Sequence, residues 1–178
     1  MTSIRSLALA GLLVPAVASM AAVVEDTKVT IEGVHLCCGA CVRAVDEAAA
    51  KVEGATVACD RDLGTVAIVA PTVEAAQKAL DAITDAGYHG TPDSDVVKVK
   101  DDGGAPEGKV ESLTLTGAHN CCRGCAVAIS GALEEVVGIA EVKAEPRTTI
   151  VTLTGDFDAK LAIKALNEAG FHVKVKKD

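Results

Sequence analysis

Gly33-Val34-His35-Leu36-Cys37-Cys38-Gly39-Ala40-Cys41 and Gly117-Ala118-His119-Asn120-Cys121-Cys122-Arg123-Gly124-Cys125 are one pattern written twice in a chain of 178 residues. A glycine, a histidine and three cysteines recur in register, and at the same offset Gly54 and Thr65 fall on Gly138 and Thr149. One deletion later, Asp85-Ala86-Gly87-Tyr88-His89 matches Glu168-Ala169-Gly170-Phe171-His172. Self-similarity at a fixed offset is the mark of an internal duplication, so the fold is to be read twice.

Working outward from the cysteines, each copy shows the same succession of periods. Val29 and Ile31, like Leu113 and Leu115, keep the alternation of a half-buried strand. After the cysteines, Val42, Val45, Ala49 and Val52 match Ala126, Ile129, Leu133 and Val136, at spacings that place them on one helix face. Gly54 and Gly138 end those helices. Two short strands follow, the second at Thr65 to Val69 and at Thr149 to Leu153. A second helix is capped near Thr72 or Asp156, buries Ala76, Leu80 and Ile83 or Ala159, Ile163 and Leu166, and stops at Gly87 or Gly170. The last strand is Phe171 to Lys176 in copy two; in copy one it is either Tyr88 to Thr91 or Val96 to Val99.

Strand, helix, strand, strand, helix, strand is the split βαβ order. The predicted fold class is therefore α+β: two tandem ferredoxin-like domains, each a four-stranded antiparallel sheet covered by two helices. Their bounds are 27–99 and 109–178, joined by a polar linker at 100–108. With only Tyr88, Phe157 and Phe171 as aromatics, the cores must be built from Ala, Val, Ile and Leu and will be thin.

The chemistry lies where the first strand gives way to the first helix. A helix start offers unpaired N–H groups and the positive end of the dipole, which favour thiolate over thiol, and thiolate is the form that binds metals. The spacing of Cys38 from Cys41, and of Cys122 from Cys125, lets two sulfurs converge on one ion, and soft sulfur selects copper(I), zinc and other thiophilic metals. Cys37 and Cys121 put a third sulfur within reach.

These residues resemble the heavy-metal-associated (HMA) domain family, twice over, across nearly all of 27–178. The resemblance rests on Cys38-Gly39-Ala40-Cys41 and Cys122-Arg123-Gly124-Cys125, on Gly54 and Gly138, and on Ala-Gly-Tyr and Ala-Gly-Phe before the last strand. It implies metal binding by the paired cysteines and an aromatic, Tyr88 or Phe171, beside each metal loop. The family's Met two residues before the first metal cysteine is replaced by Leu36, which suits the same packing, and by Asn120, which does not. The expected ligands are Cys38, Cys41, Cys122 and Cys125, with Cys37 and Cys121 as third ligands, disulfide partners or bystanders. The expected cargo is copper(I) or another soft ion such as zinc or mercury, one per domain. A linker of about eight residues spans on the order of 25 Å, so one ion shared by both loops is the rival arrangement. A metal transporter or a metal-dependent protein is the partner this function calls for.

Thiol–disulfide chemistry on the same pairs is the alternative, because a Cys-x-x-Cys pair in an exported protein is also a redox or structural motif. His35 and His119 read as exposed loop histidines or as donors behind the ligands, and His89 and His172 as exposed strand residues. Cys59 has no counterpart in the second copy, where Lys143 stands, and reads as a small strand or core residue. No catalytic motif competes, so a non-enzymatic role is expected. A net charge of −8, without a basic patch, disfavours nucleic acid as a partner.

Residues 1–21 have the form of a secretory leader: Arg5, an apolar run from Leu7 to Val14, Pro15, then small residues through Ala22. The expected location is periplasmic or extracellular, without stable membrane insertion after cleavage. Leu7 to Val24 also reaches the lower limit of a membrane span. N-terminal sequencing of the exported protein is expected to begin near Ala22, whereas a full-length chain extracted only with detergent would establish the anchor.

Overall fold

Alternation along β1 (Thr27–Glu32) buries Val29 and Ile31, and the chain then passes through the first cysteine loop into α1 (Gly39–Ala49). The computed structural model describes residues 25–177, and the leader reading lies outside the described residues. The apolar face of α1 is Cys41, Val45, Ala48 and Ala49, so a cysteine of the loop is also the first core residue of the helix. β2 (Thr56–Asp60) and β3 (Thr65–Ala70) form an antiparallel hairpin. The Thr72 hydroxyl accepts from the Ala75 N–H to start α2 (Val73–Asp85), whose Ala76, Leu80 and Ile83 are buried as their spacing predicts. The unit closes on β4 (Thr91–Pro92), paired with β1.

The second unit repeats this with β5 (Lys109–Thr116), α3 (Arg123–Glu134), β6 (Ile139–Lys143), β7 (Val151–Asp158), α4 (Ala159–Glu168) and β8 (Lys174–Val175). The two antiparallel sheets have matching orders, β2-β3-β1-β4 and β6-β7-β5-β8. Each half is thus a ferredoxin-like βαββαβ unit.

Three elements differ from the expectations. The α4 cap is Asp158, accepting from the Lys160 and Leu161 N–H groups, rather than Asp156. The shift arises because β7 pairs with β5 as far as Lys109↔Asp158 and buries Phe157 completely before the helix can begin. The closing strand of the first unit is Thr91–Pro92. Val96 to Val99 instead turns back over α2, with Val97 buried and both polar atoms of the Gln77 amide bonded to the Lys98 backbone. The linker is also engaged: Gly103 is buried and its carbonyl accepts from the Val175 N–H at 2.8 Å.

The halves meet through backbone. Gly87 and Gly170 end α2 and α4 at φ +91° and +88°, a region that L side chains avoid. A Cβ on Gly87 would collide with the Gly117 carbonyl and the His119 N–H, and one on Gly170 with the Gly33 carbonyl and the His35 N–H. Each helix end therefore lies against the cysteine loop of the opposite half. Tyr88 and Phe171 form an antiparallel bridge between the units, with His89 N–H donating to the Gly170 carbonyl at 3.1 Å and His172 N–H to the Gly87 carbonyl at 3.0 Å.

His89 and His172, expected at the surface, are drawn into this junction. Their rings stack with Nδ1 atoms 3.2 Å apart, and His172 is 4% exposed. His172 Nε2 lies 2.9 Å from the Asp102 carboxylate, which Lys174 also reaches at 2.6 Å. Burial first, and the neighbouring His172 second, lower the pKa of His89 to about 4, because an imidazolium is costly to hold away from water.

Since each half owns a full sheet and helix pair, residues 27–99 and 109–178 expressed separately are expected to unfold cooperatively in thermal melts. Both transitions should fall below that of the whole chain, since Tyr88 or Phe171 loses the opposite half. Absence of a cooperative transition in either half would make the chain one fused core.

Candidate metal centre

Both cysteine loops are short, and each is tied down behind its sulfurs. In the first, Val34 N–H donates to the Gly64 carbonyl at 2.8 Å, and the Arg61 guanidinium donates to the Cys37 carbonyl at 3.1 Å and the Leu36 carbonyl at 3.4 Å. In the second, the residue matching Arg61 is Glu145, and the tie is made by other groups. The Asn120 amide donates to the Glu145 carbonyl at 2.8 Å and the Arg147 N–H donates to the Asn120 carbonyl at 2.6 Å. Asn120 is buried in a polar role where Leu36 is buried in an apolar one. Sequence reasoning missed Arg61, whose only signal was a charge in the turn facing the loop.

Cys38 and Cys122 occupy the N-cap positions of α1 and α3. Neither helix carries an acidic residue in its first turn, so no carboxylate competes with the cysteine sulfurs for the two positive helix ends. Cys41 and Cys125 are fully buried on the inner faces, while Cys37, Cys38, Cys121 and Cys122 are half-buried.

The six sulfurs form one chamber. Cys37 Sγ lies 3.4 Å from Cys125, 3.6 Å from Cys122 and 3.6 Å from Cys41. Cys121 Sγ lies 3.6 Å from Cys41, 3.6 Å from Cys125 and 3.7 Å from Cys38. Cys38 to Cys41 and Cys122 to Cys125 measure 3.8 and 3.9 Å. The extra cysteines of each loop thus approach the Cys-x-x-Cys pair of the other. Sulfurs bound at about 2.3 Å to one tetrahedral ion stand about 3.8 Å apart, so these spacings already suit shared ions. Two sets of four have every sulfur within 4.8 Å of the others: Cys37, Cys38, Cys121 and Cys122, and Cys37, Cys41, Cys121 and Cys125. The expectation of one ion on each separate loop meets a geometry that joins the loops. Cys59 stands apart on β2, its thiol pushed up to about 11 by burial.

The charge in the chamber is shared. Neighbouring thiols, Cys125 first, hold Cys41 down at about 3, and the same interaction, with burial, drives Cys125 upward. Cys122 is lowered to about 7 by backbone N–H donation from Cys125, and burial raises Cys121 to about 12 and Cys37 further. Ionising all six in so small a volume is prohibited by mutual repulsion, and cations would remove that restriction.

Beneath the sulfurs lie aromatic rings from both halves. Tyr88 stacks on His119 at 3.9 Å between centroids, and Phe171 packs at 4.6 Å against both His119 and His35. Each aromatic therefore reaches the loop of the opposite half. His119 is buried, its Nδ1 2.7 Å from the Gly87 carbonyl, and desolvation lowers its pKa to about 4, which keeps the ring neutral.

No protein-family model and no curated protein matches the chain. Among solved structures it is similar to oxidized MerP from Ralstonia metallidurans CH34, with 25% identity over 37% of this chain and 96% of that chain, at a TM-score of 0.35. It is also similar to the N-terminal soluble domains of Bacillus subtilis CopA, with 18% identity over 85% of this chain and 95% of that one, at a TM-score of 0.33. A second structure of the water-soluble region of that P-type ATPase shows 17% identity over 85% of this chain and 92% of that one, at a TM-score of 0.34. At these scores the fold assignment rests on strand order and cysteine placement.

Because the chamber is shared, the Cys38→Ser/Cys41→Ser variant is expected to lose more than half of the copper(I) capacity of the reduced protein. Retention of half, with unchanged affinity, would mean that the loops act separately.

Proposed function

We propose that the chain is an extracytoplasmic soft-metal carrier, scavenger or chaperone that binds copper(I) first, and zinc or mercury next, through its six loop cysteines. The observation carrying this reading is the convergence of six sulfurs from two loops at 3.4–3.9 Å. Soft, polarisable thiolates in that number suit a d10 ion and suit hard cations such as magnesium or calcium poorly. The leader-like residues support export, and the half-buried outer cysteines support exchange of the ion with a transporter or a metal-dependent protein. Among the described residues, no helix is long and apolar enough to cross a membrane.

Cargo fits better than structural metal. Each half closes its own sheet and helix pair, and the buried core runs through both halves without calling on the outer sulfurs of the loops. A pure thiol–disulfide role would use one pair, whereas here three thiols per loop recur and all six face one another.

Titration of reduced protein with copper(I) against a competing chelator is expected to saturate at two or more ions per chain, with all six loop thiols protected from alkylation. If neither copper(I) nor zinc bound, while the pairs exchanged rapidly with a thiol–disulfide couple, the redox function would replace this one.

A further inference from the structure

His119 is a buried imidazole with one unused nitrogen. Its Nδ1 faces the Gly87 carbonyl at 2.7 Å; a carbonyl only accepts, so Nδ1 carries the hydrogen and Nε2 holds the lone pair. That Nε2 has no hydrogen-bond partner, although the residue is only 7% exposed. His35, from the matching position of the other loop, likewise has a buried Nε2 without a partner. Buried polar atoms are nearly always satisfied, and two unsatisfied ones at equivalent positions of a duplicated site point to something that binds them.

The third observation is proximity to sulfur. One ring nitrogen from His35, one from His119 and the Cys125 Sγ all lie within 4.8 Å of one another. Ligands on one tetrahedral nitrogen–sulfur centre stand about 3.3–3.8 Å apart, so a set confined within 4.8 Å lies close to ligating spacing. A backbone carbonyl holding the far N–H of an imidazole is the usual support for a metal-ligating histidine, since it fixes both tautomer and ring plane. Stacking on Tyr88 and Phe171 fixes the His119 plane further.

We infer that His35 and His119 are direct ligands which, with the Cys125 thiolate, form a nitrogen–sulfur position for copper(I) or zinc at the floor of the thiol chamber. Cys125, whose Sγ lies 3.4 Å from Cys37, bridges this three-ligand position to the sulfur cluster. The site rests on the reading of the chamber as a soft-metal centre and adds to it a second kind of coordination. An all-thiolate cluster and a mixed nitrogen–sulfur ion then share one sulfur, so the last ion bound differs from the others. His35 and His119 thereby depart from the background role that their sequence context suggested.

Reduced whole chain labelled with nitrogen-15 at histidine, loaded first with copper(I) and separately with zinc, tests the assignment. The Nε2 resonances of His35 and His119 are expected to move from the free lone-pair position on loading. Those of His89 and His172, at the other end of the junction, should stay, and metal K-edge absorption should show nitrogen besides sulfur. His35→Gln, and His119→Gln where circular dichroism shows it folded, should each lower the copper(I) endpoint by one ion per chain. Metal uptake with full thiol protection, sulfur-only absorption and unmoved His35 and His119 resonances would overturn the inference and leave the carrier function standing. No uptake and unprotected thiols would overturn both.

Discussion

The reciprocal seating of Gly87 against residues 117–119 and of Gly170 against residues 33–35 is the contact on which the metal centre depends. Backbone meets backbone there, so the end of α2 holds the second cysteine loop and the end of α4 holds the first. Only a residue without Cβ serves, both because φ is positive and because a methyl group would occupy the opposite strand of backbone. The contact is made twice by the same duplicated residue. The two loops are therefore brought face to face about an approximate twofold relation, and no flexible linker is asked to find that arrangement.

From this constraint the electrostatics follow. Six thiols that would each suit a separate loop are confined to one small volume under two helix N-termini. The helix ends favour negative charge, the sulfurs repel one another when ionised, and the result is that Cys41 is lowered while Cys125, Cys37 and Cys121 are raised. Such a cluster is poised to exchange protons for soft cations, because each ion entering relieves the repulsion that kept the remaining thiols protonated. The aromatic and imidazole floor excludes water on the inner side, which strengthens both the repulsion and the gain on binding.

Burial divides the six sulfurs by task. Cys41 and Cys125 are core residues of α1 and α3 as well as chamber residues, so their positions are fixed by helix packing. Cys37, Cys38, Cys121 and Cys122 are half-buried and lie nearer solvent, so in the proposed carrier role they are the sulfurs that an incoming thiolate would reach first. The ties behind the loops differ, an arginine in the first and an asparagine with backbone in the second. Repetition of the sulfur geometry therefore does not depend on repetition of its supports.

The sequence by itself determined the duplication, the strand and helix order, and the six cysteines, because hydrophobic period and residue spacing are local and each copy reads the other. It also identified Gly87 and Gly170 as helix ends, for the same local reason. What it did not carry was the relation between the halves. Spacing within a loop says which sulfurs of one copy converge, and nothing in it says that Cys37 lies 3.4 Å from Cys125. His89 and His172 read as exposed strand histidines and His119 as an exposed loop histidine or a donor behind the ligands, whereas residues of the opposite copy pack against all three. Linker length permitted separate or shared sites equally. Only the tertiary structure brings the two loops face to face, through long-range backbone packing at two glycines, an interaction that leaves no period along the chain.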